Sequence, residues 1–318
     1  MNTQLKQYNS RYPFPKMFRS ATGVLLFILM AGSLAVQAAY PGSAQGADPY
    51  ENGVIVNSER IVLHGNIAHY RYEVRTGPEQ FDVIRIHRIV KERKPWHPIR
   101  TVDGIFLLTG APNSFEGLYM APLLTTALPW DHSIVAFLAK NDVDVWGMDF
   151  AWSLVPVETT DFTFMKDWGM AKEANDIDIA LGIAQNLRRS SGQGSGRLHL
   201  SGMSYGVPFV YYLAEKETQL PYGLRKIKGL IPMDNLMKTD DEAYRQDRCA
   251  GVAIGQANLD AGIYRNASGV NLKLFADLAA TAPDDPSPVV PSFTNRQFFL
   301  LALTTGEFWH FLGGDTED

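Results

Sequence analysis

The chain has 318 residues, 46% of them hydrophobic and 20% charged, with a net charge of −5. That length suits one large domain, or a domain with a cap, and supports a sizeable core. The acidic balance disfavours nucleic acid as a partner, and the single cysteine, Cys249, excludes an internal disulfide.

The N-terminal segment reads as an address rather than as fold. Lys6, Arg11, Lys16 and Arg19 precede an apolar run from Gly23 to Val36, and no acidic residue lies among them. The run is short for a membrane-spanning helix. Val36-Gln37-Ala38 places small residues at the cleavage positions, so residues 1–38 are expected to be a signal peptide cut after Ala38. The alternative is an uncleaved anchor, which would be the chain's one membrane contact. Both imply export, to a periplasm or beyond the cell. Cleavage removes four basic residues and leaves 25 Lys+Arg against 34 Asp+Glu.

Residues 39–52 read as a flexible lead-in, with Pro41, Gly42, Gly46 and Pro49. From Gly53 to about Val90 apolar residues alternate with polar ones, as in antiparallel strands, with turns at Gly65-Asn66 and Gly77-Pro78. Arg85, His87, Arg88, Lys91, Arg93 and Lys94 form a basic run, expected to be a solvated strand face and loop. The period then changes. Gly104 to Gly110 is a continuous apolar run, as in a strand buried on both faces. Trp130–Lys140 reads as a helix with Ile134, Val135, Phe137, Leu138 and Ala139 on its apolar face. Val143–Phe150 reads as the next strand. Asp167–Arg189 reads as a long amphipathic helix, with Met170, Ala174, Ile177, Leu181, Ala184 and Leu187 on one side. Ser190–Gly196 is a Gly/Ser connector. It precedes a strand, whereas a phosphate loop would follow one. Arg197–Ser201 and Ile227–Asp234 read as further strands. Beyond about Lys238, helical pieces are expected at 256–263, 270–280 and 294–312, separated by prolines. Cys249 has no catalytic context and reads as a small buried or half-buried residue.

The stretch that carries chemistry is Gly202-Met203-Ser204-Tyr205-Gly206. A strand precedes it. A helix follows, with Val207, Val210, Tyr211 and Ala214 at helical spacing and Pro208 in the first turn, where its missing N–H costs little. Strand, sharp turn and helix form the context of a nucleophile elbow. There the glycines remove Cβ atoms that would collide, and the serine Oγ stands above a helix N-terminus. A bare G-x-S-x-G is weak evidence, and the competing reading is a glycine-rich turn without chemistry.

With Leu108-Thr109-Gly110 and Trp146-Gly147-Met148-Asp149 closing the two strands before this elbow, the chain resembles the α/β-hydrolase superfamily over roughly residues 100–236. The resemblance implies an α/β fold: a mostly parallel sheet flanked by helices, antiparallel at its start. The core would cover 53–236, and a helical cap or lid 237–318. It also implies an oxyanion hole made by the N–H groups of Ala111 and Tyr205, with Thr109-Gly110 in place of the usual His-Gly. Pro112 cannot donate. The family's chain order is Ser, then acid, then His. Ser204 is then the nucleophile. Asp234, ending the strand after the elbow helix, is the best-placed acid. His310 is the base, the one histidine that follows Ser204. The competing readings are a loop-capping Asp234, a His310 that packs in an apolar helix, and a structural Asp149. The family's final strands, with their acid and histidine loops, are not visible. Two readings therefore stay open: an exported serine hydrolase acting on an ester or similar acyl bond of a small hydrophobic substrate, or a truncated or non-catalytic binding protein without a complete triad. No metal site, nucleotide loop or cofactor motif is evident.

Overall fold

The computed structural model describes residues 50–304, except 102, 124–126, 157, 195, 236 and 265–267. The signal peptide assigned to 1–38, most of the lead-in, the end of the last helical piece and His310 lie outside the described residues.

The alternating N-terminal segment forms β1 (Val54–His64), β2 (Ile67–Arg75) and β3 (Val83–Lys94), paired antiparallel in that order. A two-residue strand, β4 (His97–Pro98), folds back on β3. The apolar runs form β5 (Asp103–Leu108), β6 (Val143–Asp149), β7 (Leu198–Met203) and β8 (Ile227–Met233). The sheet order is β1-β2-β3-β6-β5-β7-β8. β6 joins β3 antiparallel, whereas β6, β5, β7 and β8 run parallel. The chain moves outward from β5 to β6, then crosses back to β7 on the other side of β5. The carboxyl ends of β5 and β7 flank that reversal, the place where open α/β sheets hold their ligands.

Helices cover both faces. α1 (Phe115–Tyr119) and α2 (Ile134–Lys140) pack one face, around Ile89, Leu107, Phe115, Val135 and Val145. α3 (Met170–Ser190) and α4 (Val207–Thr218) pack the other, around Phe106, Trp146, Ile177, Phe209 and Val210. The helical faces differ in detail from the spacing. Residues 130–132 form a separate short turn, and the Ser133 side chain caps α2 by accepting from Ala136 N. Val135, Ala136 and Ala139 are then the buried positions, while Ile134 and Phe137 are exposed. Met170 and Tyr211 also face outward.

The basic run on β3 is solvated only in part: Arg93 and Lys94 are exposed and Arg85 and Lys91 half-buried, but His87 and Arg88 are buried. β3 lies between β2 and β6, so both its edges are hydrogen-bonded. Arg88 is buried and donates from Nε and Nη2 to the Asp144 carboxylate, each at 2.8 Å. Arg188 of α3 donates to the same carboxylate at 2.7 Å. Apolar periodicity cannot reveal a charge buried by its partner.

Beyond β8, α5 (Glu242–Asp260) begins well before the helix expected at 256, because the Asp241 side chain caps it by accepting from Ala243 N and Tyr244 N. No residue of α5 is buried, and Cys249 is exposed, contrary to expectation. α6 (Ser268–Thr281) and α7 (Asn295–Thr304) meet through Phe275 and Phe298, edge to face at 5.1 Å.

Candidate active site

Ser204 follows the last residue of β7 and precedes α4, with φ of 47°. A left-handed backbone on a non-glycine residue is costly and persists where packing dictates it. Here the neighbours show what dictates it. A Cβ on Gly202 would lie 2.5 Å from Gly206 O, and one on Gly206 would lie 2.9 Å from Leu108 Cβ. Both glycines are therefore required for β7 to turn this tightly into α4 beside β5. The turn leaves Ser204 half-buried at the end of α4 where a helix favours negative charge.

The loop after β5 closes against the serine. A Cβ on Gly110 would sit 3.0 Å from Ser204 Cβ and 3.7 Å from its Oγ, so glycine is what lets the loop approach. Asn113 N donates to Gly110 O at 2.9 Å, which tightens the turn around Ala111. Its far end is latched. Asp149 Oδ1, at the end of β6, accepts from Phe115 N at 2.6 Å, and Asp149 Oδ2 meets His87 Nε2 at 3.1 Å. Phe115 stacks on His87 at 4.5 Å and fills the space left by Gly147, where a Cβ would come within 2.1 Å of the ring. Burial pushes the Asp149 carboxyl up. The hydrogen bond with His87, the Phe115 N–H and Arg85 outweigh it and hold Asp149 below the usual range. Asp149 is thus the structural residue of the competing reading, and it holds the loop after β5 to which the resemblance assigns an oxyanion donor. If that loop works as assigned, Asp149→Ala lowers the ester turnover rate by roughly 100-fold through misplacement of donors. Asp149→Asn, which keeps an acceptor for Phe115 N, recovers part of it. Steady-state kinetics on both variants measure this.

Tyr205, whose N–H is the second assigned oxyanion donor, is fixed through its side chain. Its hydroxyl donates to the Glu173 carboxylate of α3, at 3.0 and 2.9 Å to the two oxygens. Its ring packs edge-on to Phe150, Trp152 and Phe209 at 5.5–6.0 Å. Burial lifts the Glu173 carboxyl to about 7, against the opposing hydrogen bond from Tyr205 and with help from the Asp176 charge. A carboxyl with a raised folded-state pKa is easier to ionise in the unfolded chain. Its contribution therefore falls as pH rises from about 4.5, and levels off above about 7. Unfolding free energies across pH 5–8 should show Glu173→Gln gaining on the parent as pH rises. A constant difference would contradict the raised value.

Asp234 directly follows β8, is exposed and has φ of 59°. Its neighbour Asn235, which sequence reasoning missed, reaches back and donates from Nδ2 to Ser204 O at 2.9 Å. The loop after β8 thus touches the elbow from the side opposite Gly110. His310 lies outside the described residues, and among the described residues no side chain hydrogen-bonds to Ser204 Oγ. The other histidines are engaged elsewhere: His199 Nε2 lies 3.3 Å from Asp103 Oδ2 near the start of β7, and His132 is exposed in the turn before α2. A cavity of about 810 Å³ beside Tyr70, Arg88 and Trp96 lies toward the far end of β3.

No family model and no curated protein sequence matches the chain. Among solved structures it is similar to a candidate lipase from Sulfolobus solfataricus, with 19% identity, a TM-score of 0.48, and coverage of 77% of this chain and 68% of that one. It is also similar to the esterase Est22, with 17% identity, a TM-score of 0.39 and coverage of 56% and 48%. A cold-adapted esterase from an Arctic intertidal metagenomic library shows 13% identity, a TM-score of 0.35 and coverage of 56% and 63%. The match thus spans about half to two thirds of each of these chains. The strand order, the sharp β7–α4 turn at Ser204 and the loop of β5 closing on it give this chain the fold of the α/β-hydrolase superfamily.

Proposed function

We propose that the protein is a serine hydrolase that cleaves an ester or similar acyl bond. The observation that carries this reading is the left-handed backbone of Ser204 between β7 and α4, with the Gly110 loop packed against it. A strained serine at a sheet's carboxyl edge serves nucleophilic attack, and a plain connector gains nothing from it. In the proposed reaction Ser204 Oγ attacks the acyl carbon and gives its proton to a histidine. The N–H groups of Ala111 and Tyr205 stabilise the oxyanion, about 3 kcal/mol each. The alcohol leaves with the histidine's proton, and water then frees Ser204 by the same steps. His310 is the proposed base and Asp234 the proposed acid, on chain order alone. The aromatic group of Phe150, Trp152 and Phe209 around Tyr205 supports a hydrophobic acyl or alkyl substrate. The proposal includes export of the chain, with the composition of residues 1–38 as its support, and requires neither nucleic acid nor a cofactor for catalysis. Residues 237–318 are proposed as the cap.

The test is covalent. A fluorophosphonate reacts with a serine only when a base activates it. Intact-mass analysis should show one adduct per chain, mapped to the peptide holding Ser204 and absent in Ser204→Ala. A folded protein that stays unlabelled would favour the second reading, a binding protein on this fold, to which the unpartnered Ser204 Oγ among the described residues gives its support.

A further inference from the structure

On the α1–α2 face of the sheet lies a line of titratable groups that the proposed reaction does not use. His87 of β3 and His69 of β2 are both fully buried, and His87 Nε2 points at Asp149. His87 Nδ1 lies 2.9 Å from His69 Nε2. His69 Nδ1 is buried, has no hydrogen-bond partner and lies 3.8 Å from Glu116 Oε1 of α1.

The protons can be followed along this line. The carboxylate of Asp149 can only accept, so His87 Nε2 carries a proton. With His87 neutral, its Nδ1 accepts, and His69 Nε2 carries the next proton. That leaves a lone pair on His69 Nδ1 facing a carboxylate oxygen, with no hydrogen between them. A neutral imidazole nitrogen and a carboxylate facing each other across 3.8 Å call for a cation. Nitrogen and oxygen ligands of one tetrahedral zinc ion sit about 3.3–3.6 Å apart, given metal–ligand distances of about 2.0–2.2 Å, close to this separation.

We propose that His69, His87 and Glu116 bind a divalent transition-metal ion, with zinc the best match to two imidazoles and one carboxylate. One ligand atom from each of the three lies within 4.8 Å of the others. His69 Nδ1 and Glu116 take the ion first. His87 Nδ1 joins by giving up the shared hydrogen bond as the His69 ring turns, and water fills the fourth position. Asp149 on His87 Nε2 is the carboxylate that orients a metal-binding histidine. The surrounding charge agrees. Among the described residues, the carboxylates of Glu59, Glu73, Glu116 and Asp149 pair with the guanidiniums of Arg71 and Arg85, four negative charges against two positive ones. Glu116 is half-exposed, which gives the ion a way in from solvent. The ion would tie β2 and β3 to α1, and through Asp149 would stiffen the loop beside Ser204.

The test needs no substrate. The purified protein is stripped with a chelator, then titrated with zinc or cobalt while melting temperature and cobalt absorption are followed. The expected result is one ion per chain, a rise in melting temperature, and a tetrahedral cobalt spectrum. Glu116→Gln, at a half-exposed position, should keep the metal-free melting temperature and bind at least about tenfold more weakly. His69→Gln should do the same, and if it fails to fold Glu116→Gln decides. Absence of stoichiometric binding by the parent, or unchanged affinity in Glu116→Gln, would overturn the proposal.

Discussion

Replacing Asp144 by alanine should destabilise the protein by about 3–5 kcal/mol, the cost of breaking a buried ion pair by removing one partner. Asp144 is fully buried on β6, and it accepts from Arg88 on β3 and Arg188 on α3. Both guanidiniums are themselves buried, with Arg88 lying over the Trp146 ring at 4.7 Å. Alanine leaves two buried positive charges without the carboxylate that both donate to. Burial already pushes the Arg188 guanidinium down from its ordinary pKa, against the pull of Asp144, and the Arg88 charge adds to the burial effect. Urea unfolding should show a lower midpoint at an unchanged slope. Asp144→Asn keeps the shape and the acceptor oxygen but loses the charge, so it should fall between the parent and alanine. A change below about 1 kcal/mol for alanine would mean that water reaches the two arginines, and the account of this site would be wrong.

The same ion triad marks the limit of what the sequence discloses. Strand after strand was legible where period and burial agree: the alternation over 53–90 became β1 to β3, and the two apolar runs became β5 and β6. The elbow was legible too, because G-x-S-x-G has a steric meaning that the clashes at Gly202 and Gly206 bear out. Pairings between distant charged residues leave no such trace. Arg88 and Asp144 are 56 positions apart, and only the register of β3 against β6 brings them together. For the same reason a basic run was expected on a solvated face when its central member is buried. The expected start of α5 is late, and the local signal that sets its true start is the cap at Asp241; none of its residues is buried.

The site was half legible for a related reason. Ser204 and its glycines lie within one turn of chain. Ala111 follows from the strand before, through the resemblance. The groups that hold the proposed donors in place, Asp149 for the loop and Glu173 for Tyr205, come from β6 and α3. They have no spacing relation to what they hold. His69 and His87 stand on neighbouring strands as diagonal neighbours on one face, and Glu116 comes from a helix on that side. No metal-ligand spacing could have announced them. Asn235 was invisible because its role depends on where the loop after β8 lands. The candidate acid and base rest on chain order, and of these only Asp234 lies among the described residues.

The claim that organises the whole account is that Ser204 is a nucleophile. Its most direct measurement is the turnover of short- and medium-chain p-nitrophenyl esters by the purified protein beside Ser204→Ala, with both shown to be folded by circular dichroism and melting. The account predicts turnover above the buffer rate in the parent and a loss on the order of 10⁴-fold or more in the alanine variant, down to the detection limit if the parent is slow. Equal rates in the two folded proteins, at background or above it, would contradict it.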